Sequence, residues 1–373
     1  LAILNFCGFE SGDSSELNAT TGTFSIQNST VRSGEYALRC NPDTTAVGRV
    51  TIVGLTAAGQ QQAYSQATVY CRFYFRYATK PAANDEEIFT FFTGAGAMKL
   101  ALRLDSAGKL VVYDRSNTKI ATGATVLSAN TWYRIEITSA SSATAAYELR
   151  IDGSTELSGT LDTIATNHGQ IRLGKNSDRN GQSVDLFYDD VLIDSAAFPG
   201  AGSVHRMDAN TDGTYTAWTS SNGVLTPNIY TELLPVPHDS DLGYITTSSS
   251  GAAFTAQLES ATEAGISGVV KAVKSVAIVR DEGGVSSISI RLRSGSTDDD
   301  TTANDPGASY TARQKLYETD PATSAVWNTS ALDSLQVGVV SAAAVALRCT
   351  SAWAMVAASP ETEMDSLLTL GVS

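Results

Sequence analysis

The sequence predicts an all-β protein of two tandem β-sandwiches, the second smaller than the first. Three observations carry this. Apolar and polar residues alternate at period two through most of residues 1–198, the pattern of strands with one buried face. Turn words rich in Gly, Asp, Asn and Ser separate the runs. No convincing amphipathic helical period interrupts them.

In chain order, YCRFYFRY places Cys71, Phe73, Phe75 and Tyr77 on one face and Arg72, Tyr74 and Arg76 on the other. MKLALRL does the same with Met98, Leu100, Leu102 and Leu104 opposite Lys99 and Arg103. DSAGK then turns the chain into LVVYD, with Gly108 free to take positive φ. TWYRIEI turns Tyr133, Ile135 and Ile137 inward, and YELRIDG turns Tyr147, Leu149 and Ile151 inward before an Asp-Gly turn. In DRNGQSVDLFYDDVLIDS (178–195), Asn180-Gly181 marks a turn and Val184, Leu186 and Tyr188 form one strand face. Asp189-Asp190 then shifts the apolar parity, as a bulge does.

DSAAFPGAGSV (194–204) reads as a boundary. The expected division is residues 1–198, a linker at 199–204, and a second domain at 205–373. There VSSISIRLR buries Ile288, Ile290 and Leu292, and VALRCTSAWAM aligns Val345, Leu347, Cys349, Trp353 and Met355. LQVGV is a further short strand. ATSAVWNTSALDSL (322–335) reads equally as a helix or as a loop crossing the end of a sandwich. GSTDDDTTANDPGAS and TTSSSGAA read as long polar loops.

Charged residues are 17% of the chain, below the roughly 25% of ordinary globular proteins. The charge is acidic, 39 Asp and Glu against 25 Lys and Arg for a net of −14, so nucleic acid is not an expected partner. No stretch approaches the roughly 20 apolar residues of a membrane span. LAILNFCGF lacks the basic flank of a signal peptide, and a start at Leu1 rather than Met leaves the native start open. Cys7, Cys40, Cys71 and Cys349 are too scattered for a disulfide framework and contain no CxxC pair. Buried thiols are expected, with a Cys7–Cys40 or Cys40–Cys71 bridge as the alternative.

With the strands laid out, the first domain resembles the concanavalin A-like (laminin-G-like) jelly rolls. The matching words, in order, are GFESGD, SGEYALRC, CRFYFRY, LRLDSAGKLVVYD, NTWYRIEI, YELRIDG and DLFYDDVLID. Their wording is similar to versions in tailed-bacteriophage structural proteins. DANTDGTYTAWT, VPHDSDLGYI and YETDPATSAVWNTSALDSLQVGV resemble the β-domain that accompanies such jelly rolls. The resemblance implies a virion protein, a capsid decoration, head fibre or tail adhesion subunit, on the virion surface beside other capsid or tail proteins. Symmetric homo-oligomers are common among such proteins, and a trimer is the particular expectation. A secreted or surface carbohydrate-binding module of a bacterium is the alternative, and a polysaccharide-degrading enzyme a more distant one.

No enzyme is expected. Retaining glycosidases hold two carboxylates about 5 to 5.5 Å apart, and the E-x-D-x-E words of concanavalin-like glucanases are missing. His168, His205 and His238 lack metal spacing, and no nucleophile elbow or phosphate-binding glycine loop occurs. No cofactor is required. Structural calcium suits the acids better. In jelly rolls of this type calcium bridges an early loop and the last strand, which implies Glu10 and Asp13 with Asp189 and Asp190. Turn caps and solvent-facing strand residues are the plainer alternative. Asp208, Asn210 and Asp212 imitate the first half of an EF-hand loop, but the twelfth position is Thr219, so a β-loop cation site competes with a plain turn. STDDDTTAND is expected to be a solvated acidic loop. For cell-surface glycans, Trp132 and Tyr74 are the candidate stacking residues, against packing under a loop.

Overall fold

The computed structural model describes residues 2–177, 181–284 and 286–360. The expected Asn180-Gly181 turn begins outside them, as do Leu1 and the last residues of the second expected domain. The described residues of Leu1–Gly54 and Gln62–Ala201 form one compact unit; Leu55–Gln61 and the described residues from Gly202 onward form another. The division departs from a single cut near residue 199 at Leu55–Gln61. There the Ala57 and Gly59 carbonyls accept backbone N–H bonds from Thr302 and Gln314 at 3.1 and 2.8 Å.

Among the described residues the first unit is a jelly-roll sandwich of an eight-stranded and a seven-stranded antiparallel sheet. In the eight-stranded sheet the order is Ser154–Leu161, Ala145–Ile151, Tyr133–Ala140, Thr68–Thr79, Asp185–Asp194, Ala37–Cys40 and Phe24–Gln27, with Ile3–Cys7 also on Asp185–Asp194. In the seven-stranded sheet it is Lys119–Val126, Lys109–Asp114, Met98–Leu104, Glu86–Thr93, His168–Lys175, Gly48–Ile52 and Ala19–Gly22. The inward faces meet in one core. Phe73 stacks on Phe89 at 5.1 Å between centroids, and the buried Tyr188 hydroxyl donates to the Ile88 carbonyl across the layers at 2.8 Å. Burying such rings is the dominant stabilising term.

The alternation that forecast these strands holds: Cys71, Phe73, Phe75, Tyr77, Leu100, Leu102, Leu104, Ile135, Ile137 and Leu149 all lie in this core. Asp152 and Gly153 both take positive φ, the type I′ geometry that matches strand twist. The bulge at Asp189–Asp190 is present. Pairing with Thr68–Thr79 slips between Asp189 and Leu192, Asp190 has φ +51°, and core parity changes from Leu186 and Tyr188 to Val191 and Ile193.

The second unit is a smaller sandwich of a six-stranded and a five-stranded sheet among the described residues. Ile288, Ile290 and Leu292 face its core. On the Leu347–Ser359 strand the expected single face breaks. Pairing skips from Cys349 to Ser351, and beyond that bulge Ala352, Ala354 and Val356 join Leu347 and Cys349 in the core. Trp353 and Met355 therefore take the other face. The helical candidate shrinks to Thr329–Leu332, capped by the Asn328 side chain. Thr297–Asp300 is a strand, not a free acidic loop: Arg291 pairs with Asp300 and Arg293 with Asp298. All four cysteines are buried thiols rather than disulfide halves. Burial raises the pKa of Cys40, Cys71 and Cys349, so they are poor nucleophiles.

Candidate functional site

The sequence places its first candidate where the early loop meets the Asp185–Asp194 strand. Three of the four acids arrive. Glu10, Asp189 and Asp190 are all buried, gathered around residues 32–36. One Glu10 oxygen accepts the Glu35 N–H at 2.9 Å. Asp189 accepts the backbone N–H groups of Arg32 at 2.9 Å, Ser33 at 3.3 Å and Asp190 at 2.8 Å. Asp190 takes the Arg32 guanidinium and the Ser33 hydroxyl, both at 2.6 Å. The backbone at Gly34 has φ +66°, and a Cβ there would sit 2.0 Å from a Glu10 oxygen; only glycine lets the loop approach this closely. Burial first, then the negative charges of Asp190 and Glu10, push the Asp189 pKa well above the usual carboxylate range.

Calcium needs several oxygens converging on one point, whereas these carboxylates are spent on N–H groups, a hydroxyl and a guanidinium. Asp13 caps the Ser14–Glu16 turn by accepting the Ser15 N–H at 2.8 Å. Among the described residues no three His, Cys, Asp or Glu side chains are arranged to hold a metal ion. The donor set does not fit the expected cation.

The other candidates also disperse. Asp208 makes a two-point ion pair with Arg206, Asp212 accepts the Tyr230 N–H at 2.7 Å, and Asn210 is exposed. The last two ride on the Ala209–Thr216 strand, whose pairing slips between Ala209 and Thr211, so no loop cage forms. Tyr74 is buried and covered by Arg32, whose guanidinium lies 3.5 Å from its ring centroid. Trp132 is half-buried just before the Tyr133–Ala140 strand.

A different cluster appears on the outer face of the seven-stranded sheet. Register makes Thr51, Arg172, Thr90, Ala101 and Tyr113 one row across five strands, because 172 pairs with 51 and 90, 90 with 101, and 101 with 113. Glu87 and Arg103 form the next row and Gln170 and Phe92 another. Arg103 lies 3.9 Å from the Tyr113 ring centroid and Arg172 4.0 Å from that of Phe92, which orients both guanidinium planes. Arg103 also pairs with Glu87 at 3.2 Å and reaches the Asn117 side chain. The Tyr113 hydroxyl donates to Asp85 at 2.6 Å.

This face is not saturated. The Thr90 hydroxyl, Arg103 Nε and Arg172 Nε are buried with no hydrogen-bond partner. Native proteins pair nearly all such groups, and each exception needs a reason. Burial first, then its bond to Asp85, raises the Tyr113 pKa, so the phenol holds its proton and donates. The sequence carried only a faint signal, single polar residues inside otherwise apolar strand words such as FTFF and IRLG. Strand register alone assembles them.

No protein-family model matches this chain, and no curated protein matches it. Among solved structures, the cellulose-induced protein Cip1 aligns with 53% of this chain and 100% of its own at 16% identity and a TM-score of 0.40. Domain 4 of AbnA, a GH43 extracellular arabinanase from Geobacillus stearothermophilus in complex with arabinotriose, covers 53% of this chain and 94% of its own at 14% identity and a TM-score of 0.37. Alginate lyase AlgAT5 of polysaccharide lyase family 7 covers 46% and 81% at 13% identity and a TM-score of 0.36. Likeness at this level carries no argument about chemistry.

Proposed function

We propose that this is a non-enzymatic virion surface protein that binds glycans through the outer face of its seven-stranded sheet. The observation that carries glycan binding is the part-exposed side of this face. Arg49, Arg172 and Tyr113 are half-buried there, with Arg172 stacked on Phe92 and Arg103 on Tyr113. Sugars present hydroxyls for guanidinium donors and apolar ring faces for aromatic side chains. The non-enzymatic reading is supported by Tyr113, whose raised pKa is the opposite of what a general base needs.

The virion setting rests on the resemblance of its sequence words to those of tailed-phage structural proteins, as does assembly into a homo-oligomer, a trimer in the first instance. No described helix is long and apolar enough to cross a membrane. A glycan array probed with the full chain tests the binding: saturable signal is expected, and its absence across the array overturns it. Proteomics of purified particles tests the setting. A chain absent from particles yet positive on the array would be a secreted or surface lectin-like module instead.

A further inference from the structure

The same face narrows the ligand class. We infer that, if the face binds glycans as proposed, it selects an acidic saccharide, with Arg49 and Arg172 as the subsite for the anionic group.

Arg49 lies on the outer side of Gly48–Ile52, paired with Gly174, two residues along from Arg172 on the neighbouring strand. Both guanidinium groups turn to one neutral acceptor, the Asn176 side-chain oxygen, each at 3.0 Å; Arg49 also reaches the Asn176 backbone carbonyl. Among the described residues neither arginine forms an ion pair; Glu87, on the same face, is engaged by Arg103 at 3.2 Å. Two like charges held together at a part-buried site oppose each other. Burial first, and then the charge of Arg49, lower the Arg172 pKa, and the charge of Glu87 offsets them only in part. An arriving anion relieves both effects at once. Guanidinium forks suit planar oxyanions, and both arginines are only half-buried.

The charge of the face also runs against that of the chain. The whole protein carries −14, yet this face holds Arg49, Arg103 and Arg172 against Glu87 and Asp85. Local positive charge on an acidic protein draws anions to that spot. Strand spacing of about 4.8 Å puts roughly 14 Å between the Arg172 and Tyr113 positions, room for more than one sugar ring. The anion sits at the Arg172 end and a ring packs toward Tyr113. Uronate carboxylates and sulfate esters share this chemistry.

Titration calorimetry of the full chain would compare oligogalacturonate with its methyl ester, and a heparin-derived oligosaccharide with its desulfated form. The acidic member of at least one pair should bind about tenfold or more tightly than its neutral partner, and the preferred pair identifies the anion. R172Q and R49Q should each remove most of that preference while melting within a few degrees of the parent. Equal affinity for acidic and neutral partners, or unchanged preference in both variants, overturns the inference and leaves glycan binding standing. No binding of any saccharide, here and on the array, overturns glycan binding itself.

Discussion

The first sandwich contains two buried charged clusters that sequence inspection would treat alike, and they are built on opposite principles. At the Glu10–Asp189–Asp190 corner, N–H groups of residues 32–36 and the Arg32 guanidinium occupy the carboxylates. On the outer face of the seven-stranded sheet, Arg103 and Arg172 stack on rings, and Arg49 and Arg172 share one neutral acceptor. The first network fixes a loop and specifies a fold, whereas the second leaves two cations on a single amide oxygen. The count of charged residues does not separate the two. The partner each charge takes does.

The sharpest way to break this comparison is to remove one cation from each cluster. Arg32→Ala takes the ion pair from Asp190, which is fully buried, and should cost about 3 kcal/mol in urea unfolding. Arg172→Gln should change stability by no more than about 0.5 kcal/mol while abolishing acidic-glycan preference. Equal costs would mean that both clusters are structural. Calcium chelation should leave the parent's Tm unchanged; a drop of several degrees would show a cation sharing the corner.

A second test uses pH. His168 is buried beside Phe91 and Ser139. Burial first, and then the charge of Lys99, lower its pKa from 6.5 to about 3. Between those values the unfolded chain binds a proton that the folded protein refuses. The stability it contributes is complete above pH 6.5 and declines as pH falls, by up to about 1.4 kcal/mol per pH unit. His168→Gln should flatten that slope in acid unfolding, and parallel curves for variant and parent would refute it.

The smallest expected effect is at Thr90. Its hydroxyl is buried without a partner, so Thr90→Val should be neutral or stabilising by about 1 kcal/mol and leave glycan affinity unchanged. A clear loss of stability would show that the hydroxyl is already satisfied and the row is closed.

These clusters also show where the sequence stops being informative. Period-two alternation placed Phe73, Leu100, Ile137 and Ile290 in their cores, because side-chain direction along a strand is a local property of the backbone. The bulge at Asp189–Asp190 was legible for the same reason, as a change of parity within one word. The bulge after Cys349 was not, since small residues on both sides of it hid the shift and left Trp353 and Met355 on the wrong expected face. Tyr74 looked available because its strand face is polar; that Arg32 covers it is a contact between residues 42 positions apart in the chain. The sequence by itself determined the class of the protein, all-β with two sandwich cores. Tertiary structure alone decided which acids meet the 32–36 loop and which arginines share a face. Cross-strand neighbours such as Thr90 and Arg172 are set by register between distant strands, which no local pattern encodes.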